Sequence, residues 1–382
     1  MDRPDFLIQI KRLFKTHPIV ALLGPRQCGK TTLARMYCKE QSNFSRQNYF
    51  DLEAPVDVER LTNPMLALKP LSDLIVIDEI QRLPELFPSL RVLVDEENST
   101  QKYLILGSAS RELIKQSSES LAGRIAYLEL TPFSYQEAKH LDRLWVRGGF
   151  PKSFLAKTEE ESLDWRNSYI RTFLEQDIPN LGFQIPPTAL RRFWVMLAHY
   201  HGNIFNASEL GRSFGASDVT MRKYLDLLTG TFMIRQLQPW HENISKRQVK
   251  TPKIYFRDSG IFHSLLNIEN SQDLQMNPKL GASWEGFALE EIIRIHRARN
   301  EDCYFWSTYA EAELDLLIYE KSGFQAFEFK YTDAPKMTKS MQIALNDLGL
   351  DHIYIVYPGD KDYPISEKIT AIGLKNYLEK KK

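Results

Sequence analysis

The sequence predicts an α/β chain: a parallel sheet with helices on both faces, then a largely helical stretch, then a second α/β domain. Three observations lead there. The runs Ile19–Leu23, Leu74–Ile77 and Tyr103–Leu106 have the unbroken hydrophobicity of strands buried on both faces. Each is followed directly by glycine, acidic or hydroxyl residues, as at the carboxyl edge of an open sheet where ligands bind. The last third of the chain carries two further strand-like runs, Glu313–Ile318 and Gln325–Lys330, around a Ser322-Gly323 turn.

The first strand runs into Gly24-Pro25-Arg26-Gln27-Cys28-Gly29-Lys30-Thr31, which fits G-x-x-x-x-G-K-[ST], and then into the helical pattern of Thr31–Tyr37, Thr32 included. Phosphate oxygens need donors that approach without side chains in the way. Flanking glycines and backbone N–H groups at a helix amino terminus supply them. Lys30 is expected to reach the β- and γ-phosphates and the Thr31 hydroxyl to hold Mg²⁺. These spacings make ATP with Mg²⁺ the expected ligand.

The second strand ends in Asp78-Glu79. Such a pair supplies one carboxylate to hold Mg²⁺, Asp78, and one to orient and deprotonate the attacking water, Glu79. The third runs into Gly107-Ser108-Ala109-Ser110, which places hydroxyl groups beside the expected γ-phosphate. Gln81 and Arg82 are second-rank candidates.

The set GPRQCGKT, LIVIDEIQRLPELFPSLRVLVDE, YLILGSAS and LAGRIAYLELTPFSYQE resembles the AAA+-type P-loop ATPases, AAA_14-like, fused to a DUF4143-like carboxyl region. The resemblance implies an ATPase. It also implies that Ser108 or Ser110 senses the γ-phosphate, and that Arg124 is an arginine-finger candidate acting from a neighbouring copy in a homo-oligomer.

With 382 residues, 43% of them hydrophobic, and a formal charge of zero, two or three globular domains are expected. No run approaches the eighteen apolar residues of a membrane span, and the amino terminus lacks a signal-peptide pattern, so a cytoplasmic protein without membrane contact is expected. Cys28, Cys38 and Cys303 form no disulfide or zinc pattern. Cys28 lies in the phosphate loop, where its thiol is expected to react with alkylating agents. His199 and His201 read as packing or solvent groups.

The domains expected are the ATPase at 1–145, a helical connector at 146–189, a winged-helix region at 190–258 and a nuclease-like domain at 275–382. Arg147-Gly148-Gly149-Phe150-Pro151 marks the first break. In the connector, Trp165, Tyr169 and Phe173 share a helical face and read as core. Helices from Leu190, over Ala207–Phe214 and over Ser217–Leu228, with a turn at Gly215, fit a helix-turn-helix. Phe232–Leu237 and Lys253–Phe256 read as the strands of a wing. Arg222 and Lys223, with Lys246, Arg247, Lys250 and Lys253 in the wing, are the groups expected to face DNA phosphates.

In the last hairpin Asp315 falls opposite Glu328–Lys330, and alternation puts Glu328 and Lys330 on one face. Two carboxylates and a lysine can hold Mg²⁺ and activate its water. The arrangement resembles the PD-(D/E)xK nuclease fold, with Asp315, Glu328 and Lys330 at the matching positions. Glu285, Glu290 or Glu291 on the preceding helix is the further acid. Three uses of the ATPase therefore compete: action on a nucleic acid or protein partner, an ATP-gated Mg²⁺-dependent DNA nuclease, and a slow signalling switch.

Overall fold

The computed structural model describes residues 2–97, 99–110, 121–241, 249–309 and 312–381. They form two compact units. The first comprises residues 1–132 with the later segments 173–185 and 226–233, and the second comprises 133–172, 186–225 and 234–382.

The first unit is built on a five-stranded sheet of β1 (Ile19–Leu23), β2 (Tyr49–Asp51), β3 (Leu74–Asp78), β4 (Lys102–Gly107) and β5 (Ile125–Glu129), in the order β2-β3-β4-β1-β5. All its pairings are parallel. Strand alternation splits the apolar runs between two cores. Ile19, Ala21, Ile75, Ile77, Tyr103 and Ile105 enter one. Val20, Leu22, Val76, Leu104 and Leu106 enter the other, where the helix Lys30–Lys39 contributes Leu33, Ala34 and Tyr37. Both faces are therefore covered, as the continuous hydrophobicity of these strands requires. The order places β1 and β3 on either side of β4, so the ends of all three strands open at one carboxyl edge.

The second unit contains an eight-stranded mixed sheet. Its strands are β6 (Ile234–Pro239), β7 (Lys253–Phe256), β8 (Cys303–Ser307), β9 (Glu313–Glu320), β10 (Gly323–Phe329), β11 (Ile353–Tyr357), β12 (Tyr363–Ser366) and β13 (Ile369–Gly373), ordered β12-β13-β11-β10-β9-β8-β6-β7. The run Arg147–Pro151 lies inside this unit, where the Gly149 N–H donates to Asp258 at 2.8 Å. The helix Glu159–Thr172 carries Trp165 and Tyr169 stacked at 5.2 Å, and the chain continues into a π-helical turn over Phe173–Asp177 in the first unit.

The helices Ala207–Phe214 and Asp218–Gly230 are present, with Gly215 in the left-handed region between them and the Ser217 hydroxyl accepting from the Thr220 N–H. Gly211 lets the turn close: a Cβ there would stand 2.7 Å from the Ala216 carbonyl oxygen. β6 and β7 do pair antiparallel, but β6 also pairs with β8, so these two strands are the edge of the large sheet and not a free wing.

The helix Leu280–His296 lies against His201, whose ring is 2% exposed. The Phe256 N–H donates to His201 Nδ1 at 3.0 Å, which requires that nitrogen to be unprotonated, and burial lowers the ring pKa to about 3. His201 is thus a neutral packing group, while His199 is exposed. A Cβ on Gly286 would meet His201 Nε2 at 2.1 Å. Gly286→Ala should lower stability by roughly 1–3 kcal/mol through overpacking. Chemical denaturation of the two proteins measures the difference.

Candidate functional site

The phosphate loop spans the gap between β1 and the helix Lys30–Lys39. The Gly24 N–H donates to the Gly107 carbonyl at 3.2 Å, joining it to the end of β4. A side chain at Gly24 would collide with the Leu130 carbonyl, 2.1 Å from its Cβ position. Gln27 and Gly29 have φ of +62° and +103°, left-handed conformations of the kind that build anion-binding nests. Arg3, 4% exposed, steadies the outside by donating to the carbonyls of Cys28 at 3.2 Å and Thr131 at 2.9 Å.

Lys30 is buried, and its ammonium donates to the loop's own carbonyls, Gly24 at 2.9 Å and Pro25 at 3.0 Å. The Thr31 hydroxyl donates to Asp78 Oδ2 at 2.8 Å. Burial pushes the Asp78 carboxyl above its usual value, opposed by the hydroxyl groups of Tyr49 and Thr31. Thr32 is exposed.

Glu79, in the left-handed region at φ +58°, turns its carboxylate towards the end of β4. There Gln81 Nε2 donates both to Glu79 Oε2 and to Ser108 Oγ, the latter at 2.9 Å, and Ser108 Oγ lies 3.4 Å from the same Glu79 oxygen. Of the two serine candidates, Ser108 is the one brought to Glu79. Ser110 points elsewhere, its N–H donating to the Gly230 carbonyl at 2.8 Å and its hydroxyl buried. The Arg82 guanidinium donates to the Leu52 carbonyl at 3.3 Å.

Arg124 immediately precedes β5, and its carbonyl accepts from Ile19 at the start of β1. It therefore sits at the edge of the sheet opposite the phosphate loop, in a bidentate ion pair with Asp95 at 2.6 and 2.8 Å. It cannot serve its own chain's site.

Cys28 differs from the sequence expectation. Its side chain is fully buried, the thiol donates to the Leu130 carbonyl at 3.4 Å, and burial raises its pKa. Thiolate is the reactive form, so the native protein should label at Cys28 far more slowly than in denaturant. Mass spectrometry after iodoacetamide treatment checks this.

Three contacts were not legible in the sequence. Tyr49, at the start of β2, donates its hydroxyl to Asp78 Oδ2 at 2.8 Å. Arg26, inside the loop, forms ion pairs with Glu53 at 2.7 Å and with Asp177, which is 151 residues away and closes the π-helical turn. Burial raises the Asp177 carboxyl, whose other oxygen is buried without a hydrogen-bond partner. A residue between the loop glycines gives no sign of its partners.

In the second unit β9 and β10 pair with Leu316 opposite Phe327, which puts Asp315 beside Glu328. Both carboxylates are buried, Asp315 Oδ2 accepts from the Phe329 N–H at 2.9 Å, and Lys330 pairs with Glu328 at 2.7 Å. Among the three helix acids, Glu285 faces this cluster, accepting from the Tyr255 hydroxyl at 2.6 Å. Glu290 pairs with Arg235, and Glu291 accepts from the Tyr135 N–H at 2.7 Å and pairs with Arg294 at 2.8 Å. Burial, then the charge of Asp315, pushes Glu285 and Glu328 well above the usual carboxylate range.

Lys253 is the second departure. Read from the sequence as a DNA-facing group, it is 3% exposed and paired inward with Glu313 and Asp315. Arg222, Lys223 and Lys250 are exposed, and Lys246 and Arg247 lie outside the described residues.

Three family profiles match successive parts of the chain. A family profile described as "AAA domain" matches residues 16–139, and profiles described as "Domain of unknown function (DUF8612)" and "Domain of unknown function (DUF4143)" match 138–272 and 280–377. "Uncharacterized protein Rv2008c" of Mycobacterium tuberculosis and "Uncharacterized protein Mb2031c" of Mycobacterium bovis are each 47% identical over 374 residues, 97% of this chain and 83% of theirs. The chain belongs to their family. "Uncharacterized protein MJ1544" of Methanocaldococcus jannaschii is 23% identical over 97% of this chain and 88% of its own. Among solved structures, "The walker-type atpase paby2304 of pyrococcus abyssi" aligns at 14% identity and a TM-score of 0.48, covering 69% of this chain and 95% of that one.

The chain thus carries an AAA-type P-loop domain followed by the DUF4143 region. Among the described residues no helix is long and apolar enough to cross a membrane.

Proposed function

We propose that the protein binds ATP with Mg²⁺ on the 24–31 loop and hydrolyses it, passing its nucleotide state to a nucleic-acid or protein partner. The observation that carries the reading is the meeting of Thr31 and Asp78 at 2.8 Å beside the Glu79–Gln81–Ser108 group, three strand ends converging on one edge. A hydroxyl and a carboxylate at that separation are the hard oxygen donors Mg²⁺ takes, so the residues fit the ion. When bound, Mg²⁺ neutralises charge on the β- and γ-phosphate oxygens.

The loop N–H groups bind the phosphates, and the Lys30 ammonium exchanges the Gly24 and Pro25 carbonyls for phosphate oxygens. Glu79 takes a proton from water, whose oxygen bonds to the γ-phosphorus as the bridging bond to the β-phosphate breaks, leaving ADP and phosphate. Ser108 and Gln81 orient Glu79 and stand where the γ-phosphate would be sensed.

Arg26 is the natural reporter, since incoming phosphates compete with Asp177 and Glu53 for its guanidinium. Exposed Arg222, Lys223 and Lys250 favour a nucleic-acid partner over an isolated switch. Arg124 acting in trans would require a second copy.

The test is ATP turnover by the full chain with and without DNA, alongside calorimetric titration of ATP with magnesium. Stimulation by DNA supports the nucleic-acid partner, and unchanged turnover moves the reading to a protein partner. No measurable ATP affinity ends it.

A further inference from the structure

The likeness of β9 and β10 to metal-dependent nucleases implies a divalent ion beside Asp315 and Glu328, and the residues present do not fit one. Among the described residues no three His, Cys, Asp or Glu side chains are grouped to hold a metal. A divalent ion of the Mg²⁺ type demands about six oxygens around it at close range. One oxygen of each carboxylate is already engaged, Asp315 Oδ2 by the Phe329 N–H, Glu328 Oε1 by Lys330 and Glu285 Oε1 by the Tyr255 hydroxyl, and the place beside Asp315 Oδ1 is taken by the Lys253 ammonium at 3.6 Å.

A cation is nevertheless present, and it belongs to the chain. Lys253 on β7 ion-pairs with Glu313, stands 3.6 Å from Asp315 Oδ1, and lies 5.5 Å from the centre of the Phe305 ring. Glu285 also faces this ammonium, and Glu328 completes the acid set with its Oε2 buried and without a hydrogen-bond partner. A fully buried ammonium is costly unless several anions surround it, and an uncompensated group of buried carboxylates is equally costly. Each explains the other's burial.

We propose that the Lys253 ammonium is the resident cation of this cluster, taking the place of the divalent metal in nucleases of this likeness, so that the second unit does not cut nucleic acid in a metal-dependent way. An ammonium balances charge, but it cannot lower the pKa of a bound water as a divalent metal does. The carboxylates then serve the fold and leave the outer surface of the unit for binding.

The experiment titrates Mn²⁺ into the nucleotide-free full chain, followed by electron paramagnetic resonance and thermal unfolding, for wild type, Asp315→Asn, Lys253→Met and the double variant. Wild type and Asp315→Asn should bind Mn²⁺ identically, because no Mn²⁺ sits at the cluster, and incubation of wild type with DNA and Mn²⁺ should give no cleavage. Lys253→Met should melt roughly 10 °C lower. Mn²⁺ should restore much of that loss, which a simple broken ion pair would not show, and Asp315→Asn should restore part of it without metal.

Wild-type Mn²⁺ binding that disappears in Asp315→Asn, or DNA cleavage that disappears with it, overturns the proposal. So does a Lys253→Met protein whose melting ignores Mn²⁺. Should Lys253→Met not fold in any buffer, the double variant decides: recovery of folded protein supports charge balance, and failure to recover refutes it.

Discussion

Glu79→Gln should leave ATP affinity within about threefold of wild type while lowering turnover by roughly 10²–10⁴-fold, the usual contribution of a positioned general base. The geometry gives the reason for the separation. The Glu79 carboxylate is held by Gln81 and Ser108 at the end of β4, and not by a loop group that would bind phosphate. Glutamine keeps the size and can still meet Ser108, so the loop and the Thr31–Asp78 pair stay as they are. What is lost is the oxygen that accepts the proton. Steady-state turnover together with calorimetric ATP binding measures both quantities, and a variant hydrolysing at the parental rate would remove Glu79 from the mechanism.

Lys30→Ala acts one step earlier, on binding. The Lys30 ammonium is held against the Gly24 and Pro25 carbonyls, close to where the phosphates would lie, so little ordering is needed to transfer it to phosphate oxygens. Two charge-assisted hydrogen bonds of roughly 1.5 kcal/mol or more each correspond to a loss of about 100-fold or more in affinity. The change leaves the buried Gly24 and Pro25 carbonyls without this donor, so some stability should be lost with it. Calorimetry with ATP and magnesium, with circular dichroism as the folding control, reads the result. Unchanged affinity would mean that the nucleotide does not lie in this loop.

The amino-terminal site was largely legible because its parts are local. A phosphate loop is contiguous by necessity: its donors are successive backbone N–H groups, and Lys30 and Thr31 open the helix that follows. Asp78, Glu79 and Ser108 were legible for a related reason, since each ends an apolar run that can only be a buried strand. The second unit was harder, because strand alternation fixes that Glu328 and Lys330 share a face but not what faces them.

The errors came from side chains whose meaning depends on remote segments. Cys28 looked reactive by its place in the loop, and the Leu130 carbonyl and the surrounding core make it inert. Lys253 looked like a surface cation of a wing, and the pairing of β6 with β8 turned that hairpin into the edge of a sheet that buries it.

The sequence by itself determined the strand–loop–helix order around 24–31, the acid pair at the end of β3 and the hairpin that carries Asp315 and Glu328, all of them set by residue type at short spacing. Only the tertiary structure decided that Tyr49 supports Asp78, that Asp177 holds Arg26, that Glu285 rather than Glu290 or Glu291 joins the second cluster, and that Lys253 lies within it. The physical reason is that a buried charge is tolerated only beside a partner, and which partners are buried together is fixed by the sheet order and the return of distant segments, not by their spacing along the chain.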